Sequence, residues 1–233
     1  MIVQVLHLDD FFCDKNQDVM DTRPITNHAT LAPGLRALAR QDGDLRRVVK
    51  TFGPPPVWGR KPGFPTLVQI ILEQQVSLAS ARATFEKLLR RVNRLTPGAL
   101  LELNNRSLKK CGFSRQKTEY CKGLAAACKD RRLVLRRLEH MDDAGVRAEL
   151  TGIKGIGRWS ADVYLLMALH RPDVWPVGDL ALVKAMQQLK KLSVRPDADE
   201  MEELGDSWRP WRSVAARILW HFYLSGGDSE SPV

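Results

Sequence analysis

The sequence predicts an all-α fold in which short connections join successive helices. Between residues 67 and 92 apolar side chains recur at steps of three, four or seven, which is the period of a helix. Residues that start and stop helices punctuate the chain, and no stretch carries a convincing strand pattern. The apolar positions of this stretch are Leu67, Ile71, Leu78, Ala81, Phe85, Leu88 and Val92.

The first half of the chain contains several such helices. Two short amphipathic helices follow residue 28 and are separated at Asp42-Gly43. The proline-rich stretch 54–65 predicts a loop. Ser77 is a suitable N-cap, so the apolar stretch after this loop is expected to divide into two helices there.

The middle of the chain also carries boundary signals. Pro97 suits the first turn of a helix. A further helix is predicted to stop at Gly112 and another to restart at Ser114, because glycine favours the left-handed helix end and serine the N-cap. Asp142 or Asp143 can cap the next helix.

Three more helices are expected towards the C-terminus. One runs from Arg158 to about His170, a second begins directly after Asp179, and the last covers the aromatic and basic stretch 211–224. Short loops connect all of them, as in a compact helical domain.

Composition describes a globular chain with a basic excess. Its 233 residues, 44% of them hydrophobic, allow one large domain or two small ones with a sizeable core. The formal net charge of +9 and the pI of about 9.6 indicate a polyanionic partner, with nucleic acid the first candidate. Many basic proteins bind no polyanion, so charge alone does not establish this partner.

Cysteine usage indicates a reducing compartment. The four cysteines form no C-x-x-C pair, which argues against a disulfide scaffold and against a metal site. The first residues lack a basic leader, and no apolar run is long enough to span a membrane. We therefore expect no membrane contact and a location that is cytoplasmic and nucleoid-associated or, depending on the organism, nuclear. The cysteines are Cys13, Cys111, Cys121 and Cys128.

The stretch LTGIKGIGRWSADVYLLM, residues 150–167, places three glycines and a lysine between two predicted helices. Glycine permits positive φ and close backbone approach, and the turn leads into a helix N-terminus with unpaired N–H groups. Such a terminus binds a phosphate oxygen, and Lys154 can add a charge-assisted contact. Ile153 and Ile156 are expected to anchor the turn in the core. The same residues could instead form a helical hairpin that binds nothing.

Asp179 precedes a predicted helix in the segment VWPVGDLALVK. Aspartate is favoured as an N-cap, and this role alone would account for the residue. A capping carboxylate also stays ionised, and DNA phosphates repel it. Its presence on a DNA-binding surface is therefore explained if it stabilises a positive charge that develops during a reaction. Both roles are compatible in one side chain.

Six tryptophans are many for a chain of this length. Core packing is expected to account for at least half of them. The functional alternative is an aromatic pocket for a flipped base, since aromatic faces also attract cationic rings. Trp159 opens the helix after the glycine-rich turn, and Trp208, Trp211 and Trp220 lie in the final segment.

Taken together, these motifs resemble the helix-hairpin-helix superfamily of base-excision DNA glycosylases, and within it the 3-methyladenine DNA glycosylase II (alkylbase) branch. The resemblance extends from about residue 60 to 224 and keeps the family's motif order. It rests on ILEQQVSLASA, CGFSRQKTEYCKGLA, LTGIKGIGRWSADVYLLMAL with WPVGDLAL, and WRPWRSVAARILWHFYL. It implies two helical subdomains flanking a cleft, with double-stranded DNA across the cleft mouth and the damaged nucleotide flipped in.

The resemblance also implies a domain organisation. Residues 29–225 would form the HhH-GPD glycosylase domain, with the helix-hairpin-helix at about 142–170. Residues 1–28 would form a partly disordered extension, too short to replace the N-terminal β domain of larger relatives. Residues 226–233 would form a flexible tail, and nothing in the sequence indicates more than a monomer.

Individual roles follow from the same resemblance. Asp179 matches the family's catalytic aspartate, and the hairpin Thr151–Gly157 matches its phosphate-binding motif. The backbone carbonyls of Thr151, Ile153 and Ile156 match those that hold a monovalent cation, Na+ or K+, in relatives. The candidate DNA contacts are Gly152, Lys154, Gly155, Gly157, Arg158, Ser160, Gln75, Lys184, Arg212 and Ser213. For Lys184, Arg212 and Ser213, the alternative to a DNA contact is a solvated surface position.

The family's pocket positions are occupied by Trp159, Val163 and Trp220. Members that also cut the DNA strand carry a Schiff-base lysine where Trp159 stands, so the resemblance implies a monofunctional glycosylase. Val163 replaces a tyrosine of some relatives and would widen the pocket. Gln75 falls where relatives insert a side chain beside the flipped base, although one branch has an apolar residue there. No cysteine cluster follows Cys128, so neither an iron–sulfur cluster nor a catalytic cofactor is implied.

The sequence therefore predicts hydrolysis of the N-glycosidic bond of alkylated purines, of the 3-methyladenine and 7-methylguanine class. One alternative is a glycosylase for oxidised, deaminated or mismatched bases, with or without strand cleavage. A non-enzymatic helix-hairpin-helix module that binds DNA is another, and a family member without a useful rate is a third.

Overall fold

The structure is a computed structural model that describes residues 23–227. Over this range the chain is helical and contains no strand, which confirms the predicted all-α class. No helix in this range is both long and apolar enough to cross a membrane. A 3-10 helix covers Leu135–His140. The α-helices are α1 (His28–Gln41), α2 (Gly43–Phe52), α3 (Phe64–Glu73), α4 (Leu78–Leu89), α5 (Pro97–Glu102), α6 (Asn105–Cys111), α7 (Arg115–Lys129), α8 (Asp143–Thr151), α9 (Arg158–Met167), α10 (Leu180–Leu189), α11 (Ala198–Asp206) and α12 (Arg212–Leu224).

The chain forms two compact units. The central unit, named for its place in the sequence, is the continuous segment Arg60–Leu169. The terminal unit contains the described residues 23–59 and 170–227, so it is assembled from chain on both sides of the central unit.

Helix α12 lies at the core of the terminal unit. It packs against α1, α2 and α10, and every residue from Arg212 to Trp220 is buried. A helix that is buried on all faces belongs in the interior of a domain. Burying a side chain such as Ile218 or Leu219 stabilises the fold by about 1.5–3 kcal/mol.

An ion-pair network fixes the start of α2 in the terminal unit. Asp42 caps this helix by accepting hydrogen bonds from the backbone N–H groups of Asp44 and Leu45. The same carboxylate accepts from Lys190 Nζ at 2.8 Å and from Trp208 Nε1 at 3.0 Å. Burial by itself raises the pKa of Asp42, but the hydrogen bonds it accepts, first among them that from Lys190, outweigh burial and lower the pKa.

Helix α3 is the core helix of the central unit. It packs against α4, α7 and α9, and Leu67, Val68 and Ile71 are almost completely buried. The hydroxyl of Tyr164, on α9, accepts a hydrogen bond from the backbone N–H of Gly63 at 2.9 Å. Burial raises the pKa of Tyr164 to about 12, so this hydroxyl stays protonated at physiological pH.

The structure confirms most helix boundaries expected from the sequence. Ser77, Ser114 and Asp142 accept backbone hydrogen bonds as the N-caps of α4, α7 and α8. Gly112 ends α6 in the left-handed conformation with φ of 105°. Pro97 is the first residue of α5.

Other elements differ from expectation. Helix α9 ends at Met167, so the predicted end at His170 is wrong; His170 lies outside the helix with φ of 57°. Helix α11 was not predicted, and it buries only Met201 and Gly205. The 3-10 helix over Leu135–His140 was also missed, since it buries only one residue. Elements with so few buried positions carry little apolar periodicity in the sequence.

The start of the chain is partly folded into the terminal unit. Ile25, within the predicted extension, is fully buried, and its N–H donates to the carbonyl of His170 at 2.8 Å. Residues 1–22 of the extension and residues 228–233 of the predicted tail lie outside the described residues, so their predicted disorder stays a prediction.

Candidate functional site

The hairpin between α8 and α9, Gly152–Gly157, has a specific need for glycine at one position. Gly155 has φ of +92°, whereas Gly152 has φ of −64° and Gly157 has φ of −92°. The expectation that the glycines together supply positive φ is therefore wrong for two of the three. A Cβ atom at Gly155 would lie 2.2 Å from Cγ of Tyr120, so any side chain there would collide with the ring.

A single amide ties the hairpin to the end of α3. Nε2 of Gln74 donates to the carbonyl of Gly155 at 2.8 Å and to Oγ of Ser160 at 3.0 Å. Ile156 is 4% exposed and anchors the turn as predicted, while Ile153 is half-buried. The hairpin is thereby fixed from two sides before any ligand binds.

The N-terminus of α9 is shaped for a close approach. Its N-cap residue, Gly157, makes no side-chain capping hydrogen bond. A Cβ atom at this position would meet nothing within 4 Å. Helix N-termini carry partial positive charge and attract anions. Arg158, the first residue of α9, is exposed and adds a full positive charge beside it.

Lys154 has an acidic neighbour that the sequence did not indicate. Its Nζ lies 2.6 Å from Oε1 of Glu119, on α7, and both side chains are well exposed. The hydrogen bond between them raises the pKa of Lys154 and lowers that of Glu119. Exposed ion pairs contribute little to stability. A phosphate that binds Lys154 must therefore compete with Glu119.

A depression of about 390 Å³ adjoins the hairpin within the central unit. The residues that line it come from the hairpin, the start of α7 and the α3–α4 connection. Lys117 Nζ donates to the carbonyl of Leu72 at 2.6 Å, and burial lowers the pKa of Lys117. The lining residues include Gln74, Gln75, Gln116, Lys117, Tyr120 and Gly155.

The α3–α4 connection carries the predicted inserted residue, Gln75. This residue is exposed and has φ of +56°, an uncommon conformation for a residue other than glycine. Next to it, Val76 and Leu78 are 45% and 64% exposed. Leu78 is one of the apolar positions with helical spacing, a pattern typical of a buried helix face, so its exposure differs from expectation.

Asp179 combines the N-cap role with a second contact. Its Oδ1 accepts hydrogen bonds from the backbone N–H groups of Ala181 and Leu182, both at 3.0 Å. Nε1 of Trp220, on α12, donates to the same oxygen at 3.1 Å. The residue is half-buried. Donors on two helices therefore fix the position of this carboxylate oxygen.

The ring of Trp220 packs against another aromatic ring in the terminal unit. The ring of Trp58 lies edge-to-face with that of Trp220, with 6.4 Å between centroids. Trp58 also lies 6.5 Å from the ring of His221. Trp58 comes from the proline-rich loop. Its residue type is typical of aromatic contacts, but its position in the sequence does not indicate that it packs against Trp220. Through Trp220 this group of rings contacts the Asp179 carboxylate.

The remaining pocket candidates belong to the central unit. Trp159 is half-buried on the first turn of α9, and Val163 is 5% exposed on the same helix. Position alone does not assign either a role, so both stay candidates.

Three predicted DNA contacts are not available as side chains. Ser213 is fully buried, and its hydroxyl exchanges hydrogen bonds with the backbone of Val174. Arg212 is 8% exposed and is engaged by the carboxylate of Asp173 through Nε and Nη2. Ser160 is 2% exposed and accepts from Gln74. These side chains therefore satisfy polar partners inside the fold, and contacts of these residues with DNA stay predictions.

Lys184, on α10, is exposed and remains available for contact with a polyanion.

Burial of the thiols raises the pKa of Cys121 to about 12 and that of Cys128 to about 11. These cysteines are therefore unreactive thiols at physiological pH. No cluster of three or more His, Cys, Asp or Glu that could hold a metal occurs within residues 23–227.

Comparison with known proteins gives sequence relatives that are named DNA-3-methyladenine glycosylases. The chain is 28% identical over 162 residues to the putative DNA-3-methyladenine glycosylase YfjP of Bacillus subtilis, covering 66% of this chain. It spans only 56% of the length of that protein. It is 27% identical over 190 residues to DNA-3-methyladenine glycosylase 1 of Schizosaccharomyces pombe, covering 78% of this chain and 83% of that one.

Solved structures agree with these relatives. The fold matches that of the S. pombe 3-methyladenine DNA glycosylase in complex with abasic DNA, with a TM-score of 0.75 and 26% identity over 81% of this chain and 95% of that one. It also matches a DNA-3-methyladenine glycosidase of Bacillus halodurans, with a TM-score of 0.68 and 28% identity over 82% and 89% of the two chains. The family model of the HhH-GPD superfamily base excision DNA repair proteins matches residues 68–210, more than half of the chain. The chain belongs to the HhH-GPD superfamily of base excision DNA repair proteins.

Proposed function

We propose that the protein is a monofunctional DNA glycosylase that hydrolyses the N-glycosidic bond of alkylated purines in double-stranded DNA. The observation that carries the proposal is the Asp179 carboxylate, half-buried and oriented by Trp220, in a chain of this superfamily. The names of its relatives, DNA-3-methyladenine glycosylases, support the same substrate class. The protein would act as a monomer on chromosomal DNA, in the nucleoid or the nucleus.

The hairpin supplies the DNA-binding element of this proposal. Gly157 leaves the N-terminus of α9 accessible, and the exposed Arg158 adds positive charge. Such contacts to phosphate fix the position of a protein on DNA without reading its sequence. A repair enzyme needs this property, because damage occurs in every sequence context.

Asp179 would act on the sugar of the flipped nucleotide. Cleavage of the N-glycosidic bond gives the sugar oxocarbenium character, and a fixed carboxylate stabilises this positive charge. The carboxylate can also orient or deprotonate the attacking water. Because the donors from α10 and Trp220 hold one carboxylate oxygen in place, little reorganisation is needed as the charge develops.

The chemistry of an alkylated purine matches this small catalytic set. A base such as 3-methyladenine or 7-methylguanine already carries a positive charge, so it leaves without a dedicated general acid. Aromatic faces attract cationic rings, and Trp220, whose ring packs against that of Trp58, contacts the carboxylate. Trp159 stands where strand-cutting members have lysine, so no Schiff base can form from that position.

A monovalent cation at the hairpin is part of the proposal. Thr151 ends α8, Ile153 and Ile156 follow it in the hairpin, and Gln74 already engages the carbonyl of Gly155. Uncharged backbone oxygens suit Na+ or K+. The carbonyl of Ile153 also accepts from the N–H of Ile156 at 3.0 Å, which leaves its second lone pair for an ion. Bound there, the ion would add positive charge for a DNA phosphate.

The test is release of free bases from DNA, identified by mass. The protein should release 3-methyladenine or 7-methylguanine from methylated duplex DNA and should form no borohydride-trapped adduct with abasic DNA. Release of only oxidised or deaminated bases from matched substrates would replace the proposed substrate class. Binding without release of any base would leave a non-enzymatic DNA-binding module.

A further inference from the structure

A buried carboxylate joins the helices on either side of the hairpin. Asp162, on α9, is fully buried. Its Oδ1 accepts a hydrogen bond from Nε of Arg147, on α8, at 2.6 Å. Its Oδ2 lies 3.6 Å from Nε of Arg158, the first residue of α9. One carboxylate therefore organises two guanidinium groups that come from different helices.

The charges of this cluster are arranged with the negative one inside. The side chain of Asp162 is 0% exposed, that of Arg147 is 27% exposed and that of Arg158 is 61% exposed. A buried carboxylate is costly unless it is paired, so the two arginines are held close to it. The exposed parts of both arginines reach solvent, while the carboxylate that they meet is covered.

Arg147 meets the carboxylate through Nε. A guanidinium has four more N–H donors on its two Nη nitrogens, and this fork matches the geometry of a phosphate. A side chain already held at one edge loses less conformational freedom when it binds a ligand. Lys154 differs in this respect, because its charge faces the exposed carboxylate of Glu119.

We infer that Arg147 is a DNA phosphate contact of this protein and that Asp162 is the positioning residue that orients Arg147 and Arg158 towards the strand. The inference rests on the proposed function, since it assumes that the hairpin faces DNA. It extends that function by adding a cation from α8 to the contacts from the hairpin and α9. Asp162 acts through the arginines and touches neither the base nor the sugar.

The experiment measures binding of the full chain to a duplex with a tetrahydrofuran abasic-site analogue, by fluorescence anisotropy over a range of salt concentrations. The variants are D162N, which keeps the shape and removes the charge, and R147A. The matched control is E73Q, because Glu73 is another buried carboxylate of the central unit, paired with Arg60 at 2.9 Å. Thermal unfolding of every variant measures the structural cost separately.

We expect D162N and R147A each to weaken binding about tenfold and to reduce the slope of log K against log salt by about one. E73Q should lose comparable thermal stability and bind within about twofold of the wild type. R147A changes a partly exposed side chain, so it tests the inference even if D162N does not fold. If R147A binds DNA with the affinity and salt slope of the wild type, the proposed phosphate contact of Arg147 is overturned. If folded D162N does so, Asp162 is not a positioning residue, and its ion pairs are purely structural.

The outcome does not depend on catalysis. A wild-type protein that binds the abasic duplex but releases no base would contradict the proposed activity and leave the binding comparison intact. Loss of affinity in both variants, with single-turnover base release by saturating protein within about twofold of wild type, would separate positioning on DNA from the chemical step.

Discussion

Nε1 of Trp220 donates a hydrogen bond to Oδ1 of Asp179 across 3.1 Å, and this contact links the core helix α12 to the first turn of α10. The carboxylate receives a side-chain donor from one helix and backbone donors from the other. Several measurable consequences depend on this arrangement.

Replacing the carboxylate should separate binding from chemistry. In D179N the amide still caps α10, since asparagine is as good an N-cap as aspartate, but the negative charge is lost. We expect base release from methylated DNA to fall by about 10²–10³-fold or more, with DNA affinity within a few-fold of wild type. Single-turnover release and anisotropy measure the two effects.

The matched control for this variant is D197N. Asp197 caps α11 in the same unit and accepts hydrogen bonds from the N–H groups of Asp199 and Glu200. The D197N variant should leave base release unchanged. Equal rates in D179N and the wild type would remove Asp179 from the catalytic step.

Replacing Trp220 by phenylalanine removes the indole N–H donor and keeps an aromatic side chain. W220F loses the hydrogen bond to Asp179, so base release should fall by about tenfold, in line with the value of a hydrogen bond to a charged group. W208F is the control, because Trp208 makes an equivalent bond to Asp42. Its effect should appear in thermal stability. An unchanged rate in W220F would show that α10 alone orients the carboxylate.

Glu119 should weaken DNA binding through its ion pair with Lys154. In E119Q the competing charge is removed, so we expect tighter binding to undamaged duplex DNA and a steeper salt dependence. K154A should bind more weakly with a shallower slope. The control E86Q removes another exposed carboxylate, paired with Arg82 on α4. An effect as large in E86Q would indicate general electrostatics and no specific competition.

Replacing two glycines of the hairpin by alanine should affect different properties: stability in G155A and DNA affinity in G157A. G155A places a Cβ atom against the ring of Tyr120 at a positive φ, so we expect a loss of stability of about 3 kcal/mol. G157A meets open space, and its unfolding free energy should change by less than about 1 kcal/mol. Its DNA affinity should nevertheless fall, because the new methyl group occupies the approach to α9. Denaturant unfolding and anisotropy test the pair.

The network around Asp42 predicts a pH dependence of stability. Its pKa is lower in the folded protein, so its stabilisation is fully present above the ordinary aspartate pKa of about 3.9 and is lost as the pH falls through the folded value. D42N should cost about 2–4 kcal/mol near neutral pH, because it leaves Lys190 without this partner in a partly buried site. The difference from wild type should shrink in acid. D142N, a change at an exposed cap, should show little effect at any pH.

The amino-acid sequence by itself determined the local structure of this protein and its family. Caps such as Ser77, Ser114 and Asp142 act through hydrogen bonds from residues three positions away, so their pattern is visible in the chain. The same holds for Gly112, which ends α6. Asp179 was identified from its motif, and its capping contacts are equally local.

Only the tertiary structure decided which of the polar side chains are available. Arg212 and Ser213 were candidate DNA contacts, and the structure shows that Asp173 and Val174, some forty residues earlier, engage their side chains. Glu119 beside Lys154 and Arg147 on Asp162 are likewise contacts between separate helices. The physical reason is that a charge or hydrogen bond acts through distance in space, and one sequence without the packed fold does not specify that distance.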